Sequence, residues 1–274
     1  MTRRARGELL LIGGHEDKEH EAVILCEVAE RLHQHDGTLA LVTAATELPR
    51  EYADEYQAAF DRLGIKRVQH VDVRDRADAH DQEVVNRLSE AAVIFFSGGD
   101  QLRIVSQIGG TPFLECLQQR YRDGALIAGT SAGAAAMPQT MLIAGPSDAS
   151  HEADALDMGP GLGLIDGVVV DTHFAQRGRI GRLSGAVARH PGVLGIGIDE
   201  DTALLVNASG RGRVLGSGAV YVVDGSRMSH TSLAERRARG IVSIHDLVLH
   251  VLGADQQVDL RTRRPLAAAA DASD

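Results

Sequence analysis

The chain has 274 residues, and its 28 basic and 38 acidic side chains give a formal net charge of −10. Hydrophobic residues make up 44% and aromatic residues only 3%, so an aliphatic core is expected and disorder of the whole chain is disfavoured. An acidic chain lacks the basic surface that binds nucleic-acid phosphates. No apolar run approaches the roughly 18 residues of a membrane-spanning helix, so no membrane partner is expected.

Two further features predict the cellular setting. The chain has only two cysteines, Cys26 and Cys116, which are too few for a disulfide scaffold and indicate buried thiols in a reducing compartment. The apolar run at 9–12 is too short for a signal peptide, and the polar segment 15–18 follows it directly. We therefore expect a cytoplasmic protein.

The first half of the sequence alternates short aliphatic runs with segments of helical periodicity. Strands are predicted at residues 9–12, 39–43, 68–73, 92–96 and 125–128. Helices are predicted at residues 19–35, 49–63, 82–89, 100–108 and 112–122, with a further helix starting near 134–137. This repeated strand–helix–strand order predicts an α/β three-layer sandwich with a mostly parallel central sheet.

The second half has more closely spaced strands, which predict an antiparallel C-terminal extension of the same sheet. Its predicted strands are at 168–171, 194–198, 203–207 and 214–224, and its predicted helices at 176–189 and 245–252. No repeat or linker divides the chain, so a single α/β domain over 1–274 is expected. Its ordered core is placed at about 8–253, and a flexible tail of small residues at 262–274.

The strongest local motif is G-x-S-x-G at residues 129–133, directly after a predicted strand and before a predicted helix. This is the context of a nucleophile elbow, in which a sharp turn lifts the serine out of the sheet. Ser131 is the candidate nucleophile, and the N–H of Ala132 at the helix start would face a developing oxyanion. The alternative is an ordinary glycine-rich turn.

A serine nucleophile needs a base, and one of the 12 histidines is well placed to be it. His173 follows a predicted strand at the carboxyl edge of the sheet, where catalytic groups of open α/β folds gather. The base needs an orienting carboxylate in turn. Residues 199–201 (Asp-Glu-Asp) end another predicted strand, and spacing alone does not choose among Asp199, Glu200 and Asp201.

Candidate substrate-binding residues lie near these groups. Arginine grips carboxylates in a bidentate manner, and three arginines fall within six residues just after His173. A second glycine-rich strand end supplies Gly98 and Gly99 as further oxyanion donors, followed by Gln101. The candidate arginines are Arg177, Arg179 and Arg182, and the alternative is a helix face whose arginines form salt bridges.

Together these motifs resemble the cyanophycinases, serine peptidases of family S51 with a glutamine-amidotransferase-like fold. The resemblance covers about residues 8–225. Five separated blocks carry it in order: GGHEDK at 13–18, FSGGDQ at 96–101, GTSAGA at 129–134, DTHF at 171–174 with the three arginines, and GIDEDTA at 197–203.

The resemblance implies a Ser131–His173–Glu200 triad, which selects Glu200 among the three acids. It further implies an exopeptidase that cuts cyanophycin, a poly-aspartate backbone with arginine on each side-chain carboxyl, into β-aspartyl-arginine dipeptides. It implies no cofactor and no metal, and some family members form homodimers. The substrate-binding positions it suggests are Gln101, Asp171, Thr172, Arg177, Arg179 and Arg182.

The chain departs from the family pattern at two positions. Many cyanophycinases have Gln where this chain has Thr172, and Ala where it has His15. An aspartyl or isoaspartyl dipeptidase is therefore the alternative function. A glutamine amidotransferase is disfavoured because the elbow carries serine in place of cysteine, and a non-catalytic binding module is disfavoured because every triad candidate is present.

Overall fold

The computed structural model describes residues 7–35, 37–144, 156–234 and 242–267. The helices are α1 Val23–His35, α2 Pro49–Arg62, α3 Gln82–Ser89, α4 Gln101–Ile108, α5 Pro112–Arg122, α6 Ala132–Ala135 and α7 Ile180–Arg189. The strands are β1 Leu9–Ile12, β2 Thr38–Val42, β3 Val68–Val71, β4 Ala91–Phe96, β5 Leu126–Thr130, β6 Thr140–Ala144, β7 Asp157–Pro160, β8 Val168–Thr172, β9 Leu194–Ile198, β10 Thr202–Val206, β11 Arg211–Gly216, β12 Val220–Asp224, β13 His230–Thr231, β14 Ile244–His245, β15 Val248–Leu252, β16 Gln257–Asp259 and β17 Arg264–Pro265.

The main sheet has nine strands in the order β17-β16-β11-β10-β1-β5-β4-β2-β3. The five strands from β1 to β3 in this order are parallel, and β10 then pairs with β1 in the antiparallel direction. The predicted α/β fold with its central parallel sheet is confirmed. The three central parallel strands, β1, β4 and β5, are buried along their whole length because helices cover both faces of the sheet.

Strand β1 shows how the layers share the sheet. Its four residues are buried, and they alternate between the two faces because successive strand side chains point in opposite directions. Leu10 and Ile12 join the core beneath α1 and α2, whereas Leu9 and Leu11 join the core beneath α3, α4 and α5. The fold is therefore three-layered around the parallel strands.

The predicted antiparallel extension of the main sheet is correct for β10 and β11, and wrong for the predicted strands that form β8, β9 and β12. Strands β15, β12, β9 and β8 form a separate four-stranded sheet, in which β8 and β9 are parallel. One face of this sheet shares the core of α3 to α5, and Val169 on the other face packs with Leu183 and Val187 of α7. The site below lies where the two sheets meet.

The predicted strand 214–224 is two strands, and each belongs to a different sheet. Gly216 ends β11 with a φ of +91°, a backbone conformation that residues with a Cβ rarely adopt. A Cβ at Gly218 would lie 2.6 Å from Thr202 Oγ1. The two glycines therefore allow the chain to turn sharply from the main sheet into the second one.

The predicted helix 245–252 is wrong, because the segment forms β14 and β15. Exposure in β15 alternates, with Leu249 and Val251 exposed and Leu252 buried. This two-residue period belongs to a strand, and β12 supplies its hydrogen-bonding partner.

The predicted helix 19–35 starts later, at Val23. Ala22 has a φ of +46°, and the Asp17 carboxylate accepts hydrogen bonds from the backbone N–H groups of Glu19, His20 and Ala22. The preceding segment is thereby held as a side-chain-capped turn.

The C-terminal segment and the cysteines also differ from expectation. Arg264–Pro265, inside the predicted tail, pairs with β16, while residues 268–274 lie outside the described part of the chain. Cys26 is exposed and Cys116 partly exposed, so neither thiol is fully buried. In the described residues, no helix has the length and apolarity needed to cross a membrane.

Candidate active site

The loop after β1 joins the strand ends that carry the predicted site. Three successive carbonyls accept backbone hydrogen bonds: Ile12 O from Ser131, Gly13 O from His173 and Gly14 O from Asp201, each at 2.9 Å. Ser131 follows β5 of the main sheet, whereas the other two donors follow β8 and β9 of the second sheet. This loop therefore fixes the two sheets relative to each other at the site.

Gly13 and Gly14 are required for this close approach. A Cβ at Gly13 would lie 1.9 Å from the carbonyl oxygen of Asp199. Gly14 has a φ of +103°, and its Cβ would lie 2.4 Å from Cε1 of the His173 ring. Any side chain at either position would displace the residues that the loop holds.

Ser131 lies on a strained turn between β5 and α6. Its φ of +52° and ψ of −113° are unusual for a residue with a Cβ and cost about 1–3 kcal/mol. The motif glycines make the turn possible, since a Cβ at Gly133 would lie 2.7 Å from Phe96 O. The turn directs Ser131 Oγ toward the second sheet, as the G-x-S-x-G motif predicts.

The structure brings Ser131, His173 and Glu200 into one hydrogen-bonded chain. Ser131 Oγ lies 2.8 Å from His173 Nε2, and His173 Nδ1 lies 2.7 Å from Glu200 Oε1. A carboxylate only accepts hydrogen bonds, so Nδ1 carries the hydrogen and the Nε2 lone pair faces the serine hydroxyl. This is the tautomer that a general base requires.

The two neighbouring acids are occupied elsewhere. Asp199 accepts hydrogen bonds from the backbone N–H groups of Ala175 and Ala219 at 2.9 and 3.1 Å. Asp201 accepts from Asp17 N at 2.9 Å and from the Ser217 hydroxyl at 2.7 Å. Sequence spacing left three candidate acids, and their hydrogen-bond partners distinguish them. Glu200 is the acid in contact with His173.

The surroundings lower the pKa of His173 from its usual value. Burial is the main cause, and the charges of Arg177 and His15 add to it, while the hydrogen bond to Glu200 acts in the opposite direction. The imidazole is therefore held in its neutral form near neutral pH, where its Nε2 can accept a proton.

His15 is a neighbour of His173 and Glu200 whose contacts the sequence did not reveal. Its Nδ1 lies 3.4 Å from Glu200 Oε2, and its ring stands edge-on to the His173 ring at a centroid distance of 5.2 Å. Among the described residues, one cluster has the side chains that could hold a metal ion: His15, His173 and Glu200. Each offers one nitrogen or oxygen atom, and these atoms lie within 4.8 Å of one another. Two of the three already serve the hydrogen-bonded chain to Ser131.

The second glycine-rich turn lies beside the serine. A Cβ at Gly98 would lie 3.5 Å from Ser131 Cβ, and Gly99 has a φ of +143° with Ala45 O only 2.2 Å from its Cβ position. The predicted oxyanion donors Gly98, Gly99 and Ala132 are thus grouped around the elbow. Gln101 points elsewhere, since its Nε2 donates to Leu142 O and Ile143 O at 2.9 and 3.0 Å.

The three predicted arginines divide into two groups. Arg179 Nη1 and Arg182 Nε each lie 3.0 Å from a different carboxylate oxygen of buried Asp171. Arg179 Nη1 also donates to Thr172 O at 2.7 Å. Arg177 is exposed and lines the cavity in front of Ser131. The geometry therefore makes Arg177 the arginine that faces the cavity, and Arg179 and Arg182 partners of Asp171.

That cavity has a volume of about 380 Å³. It is lined by Gly14, His15, Glu16, Lys18, Tyr52, Glu55, Tyr56, Gly98, Gly99, Thr130, Ser131, His173 and Arg177. The triad serine and histidine, both glycine turns and one predicted arginine thus open into the same space. The part of the lining that α2 and the loop after β1 supply was not predicted.

Buried Glu16 anchors this unpredicted part of the lining. It accepts hydrogen bonds from the Tyr56 hydroxyl and, at 2.6 Å, from the hydroxyl of Thr130, the residue before Ser131. Burial and the Glu16 charge raise the pKa of Tyr56, which keeps its phenol protonated as a donor. The signal in the sequence was Glu16 in GGHEDK, the first acidic residue after an aliphatic strand.

Fold and site define an α/β enzyme with a serine positioned for attack. Residues 9–212 match peptidase family S51, and the chain belongs to that family and is a peptidase of the serine type. The expected resemblance is confirmed at this level.

Curated relatives agree with this assignment, and a solved structure shares the fold. The chain is 37% identical to the cyanophycinase of Geminocystis herdmanii (strain PCC 6308), over 97% of this chain and 98% of that protein. It is 38% identical to the cyanophycinase of Nostoc sp. (strain PCC 7120), over 95% and 88% respectively. A crystal structure of a peptidase from an acI-B1 Actinobacterium shares the fold, with a TM-score of 0.72, 22% identity, and coverage of 94% of this chain and 98% of that one.

Proposed function

We propose that this protein is a serine exopeptidase that hydrolyses cyanophycin to β-aspartyl-arginine dipeptides. The observation that carries the proposal is the hydrogen-bonded chain Ser131–His173–Glu200, which opens into a cavity beside Arg177. Similarity to two cyanophycinases along nearly the whole chain supports the choice of polymer.

The first half of the reaction forms an acyl-enzyme. Ser131 Oγ attacks the carbonyl carbon of the scissile aspartyl amide while its proton moves to His173 Nε2. Glu200 stabilises the imidazolium through Nδ1–H, and the N–H groups of Ala132 and the Gly98–Gly99 turn receive the oxyanion. When the C–N bond breaks, His173 returns the proton to the leaving amine.

The second half regenerates the enzyme with water as the nucleophile. His173 removes a proton from the water as its oxygen attacks the acyl carbon, and the proton is then returned to Ser131 Oγ. Every proton in these steps is transferred at His173 Nε2.

Substrate binding follows from charge. Arg177, at the cavity, is proposed to pair with a substrate carboxylate. Asp171, Thr172, Arg179 and Arg182 are proposed to form the adjoining wall through their ion pairs and the Arg179–Thr172 hydrogen bond. Gln101 is proposed to act by fixing β6 beside the site.

The decisive experiment is incubation of purified protein with insoluble cyanophycin, with soluble β-aspartyl-arginine measured by mass spectrometry. We expect dipeptide release by the wild-type chain, none by Ser131→Ala, and a kcat about 10³–10⁴-fold lower in Glu200→Gln. Asp199→Asn is the matched control for Glu200→Gln, because it changes a neighbouring acid that has other partners in the same way. Equal release by wild type and Ser131→Ala would rule out the serine mechanism.

A substrate panel separates the alternative function. Free β-Asp-X and α-Asp-X dipeptides are tested beside the polymer, because Thr172 is shorter than the Gln of many cyanophycinases. Cleavage of the dipeptides with the polymer untouched would identify an aspartyl or isoaspartyl dipeptidase.

A further inference from the structure

Apart from the two histidines His15 and His173, four side chains that can carry a charge line the cavity: Glu16, Lys18, Glu55 and Arg177. Glu16 is not available to a substrate, because its side chain is fully buried and its two oxygens accept from Tyr56 and Thr130. Glu55 is 55% exposed. Of the residues lining this cavity, Glu55 is thus the carboxylate that a ligand in solution reaches.

Lys18 fixes the position of the Glu55 carboxylate. Its ammonium lies 3.3 Å from Glu55 Oε1, 3.6 Å from Glu16 Oε1 and 4.9 Å from the centre of the Tyr56 ring. The Lys18 side chain is only 18% exposed, so the ammonium is held behind Glu55. Two carboxylates against one ammonium leave this wall with a surplus negative charge.

Tyr52 stands beside Glu55 on the same face of α2. The two residues are three positions apart, a spacing that places side chains next to each other on a helix, and both line the cavity. A carboxylate beside a tyrosine ring matches the chemistry of a guanidinium, which donates two parallel hydrogen bonds in its plane and packs its face against an aromatic ring.

We propose that Glu55 and Tyr52 form a subsite for the guanidinium of a substrate arginine, with Lys18 and Glu16 holding Glu55 in place. The inference rests on the proposed function, because that function supplies an arginine-bearing polymer. Arg177, the other cation of the cavity, then remains for a substrate carboxylate. Two groups in the lining of one cavity thus recognise opposite charges of one zwitterionic substrate.

The test compares two short substrates that differ only in charge. One carries arginine on the aspartate backbone, and the other carries citrulline, whose urea has nearly the same shape but no charge. A charge-assisted hydrogen bond contributes about 1.5–3 kcal/mol, so we expect Glu55→Gln to raise KM for the arginine substrate at least about tenfold with little change in kcat. For the citrulline substrate, the wild-type KM is already high and Glu55→Gln leaves it unchanged.

Glu51→Gln is the matched control. Glu51 lies one turn before Glu55 on α2, is also exposed, and lines a different cavity with Arg50 and Arg103. We expect this variant to keep the wild-type KM for both substrates. If both variants raise KM equally, a general loss of negative charge explains the effect and the subsite is refuted. Equal effects of Glu55→Gln on both substrates would also refute it.

A binding measurement separates this inference from the proposed function. Calorimetry on Ser131→Ala and on Ser131→Ala/Glu55→Gln gives Kd for both substrates without turnover. Weaker binding of the arginine substrate by the double variant, with unchanged citrulline binding, supports the subsite even where the wild type fails to cleave the polymer. If the wild type cleaves the polymer but Glu55→Gln does not change binding, the proposed function stands and the subsite is refuted.

Discussion

At the scale of single residues, the site is governed by what surrounds His173. Ser131 and Glu200 hold its two ring nitrogens, while Arg177 and His15 place positive or polar groups close to it. An imidazole that is partly buried among such neighbours loses its proton more easily than a free one. Small changes near the ring should therefore move the pH range in which the enzyme works.

His15→Ser tests this dependence on neighbours. Burial and Arg177 lower the pKa of His173 most, and His15 adds to their effect. Removing His15 raises that pKa toward its usual value. Because His173 must be neutral to accept the serine proton, the acidic limb of kcat/KM against pH is expected to move to higher pH.

The control for this prediction is His20→Ser, since His20 is exposed and contacts Asp17. Its pH profile should match that of the wild type. An acidic limb that stays in place in His15→Ser, measured with a soluble substrate, would show that His15 does not influence the titration of His173.

At the scale of elements, the short loop after β1 positions the three segments that carry the site. Its carbonyls bind the segments after β5, β8 and β9, and its glycines leave room for the His173 ring and for Asp199. Gly14→Ala introduces a Cβ that would lie 2.4 Å from the ring. We expect a fall in kcat of at least about 100-fold, because a displacement of about 1 Å costs that much.

Gly64→Ala is a control with matched backbone strain. Gly64 has a φ of +79° and no atom within 4 Å of its Cβ position. Both variants should lose about 1–3 kcal/mol of stability from a disfavoured φ, measured by chemical denaturation. Only Gly14→Ala should lose activity, and comparable activity in the two would contradict a steric role for Gly14.

Sequence reasoning worked for elements whose pattern is local. The aliphatic runs of β1, β4 and β5 and the elbow at Ser131 each carry their signal within a few residues, so they were predicted. β15 was missed because five apolar-rich residues fit a helix or a strand until a partner strand decides between them. The division at Gly216 was missed because the choice of sheet depends on contacts distant in sequence.

The same distinction holds for the candidate site. Spacing left three acids open at 199–201, because the backbone donors that occupy Asp199 and Asp201 come from residues 175, 219 and 17. The three arginines are close in sequence, but Arg179 and Arg182 form ion pairs with buried Asp171, and only Arg177 of the three lines the cavity. Glu55 and Tyr52 carried no motif, because α2 becomes a cavity wall only after the parallel sheet has formed.

At the scale of the whole molecule, the site depends on how firmly the two sheets are joined. Besides the loop after β1, Arg263 connects them. It precedes β17 of the main sheet, and its Nη1 lies 2.7 Å from Asp224 Oδ1 at the end of β12. Its guanidinium also donates to Pro191 O and Gly192 O before β9. The C-terminal strands are thus fastened to the second sheet far from Ser131.

Arg263→Ala should therefore weaken the fold and leave the chemistry intact. Loss of the ion pair and its hydrogen bonds is expected to lower the free energy of unfolding by about 1–2 kcal/mol at pH 7, with kcat unchanged. Exposed Arg264, one residue on, provides the control Arg264→Ala, for which urea denaturation should show little change.

The pH dependence of this difference identifies its cause. Burial raises the pKa of Asp224, but the hydrogen bonds from Ser226 and Arg263 outweigh it, and the pKa lies below its usual value. A lowered folded-state pKa adds stability that is present above the unfolded pKa and lost as the pH falls through the folded one. The gap between wild type and Arg263→Ala should therefore shrink when the pH is lowered below about 4. A gap of constant size down to the acid transition would assign the effect to the carbonyl contacts of Arg263 instead of its pairing with Asp224.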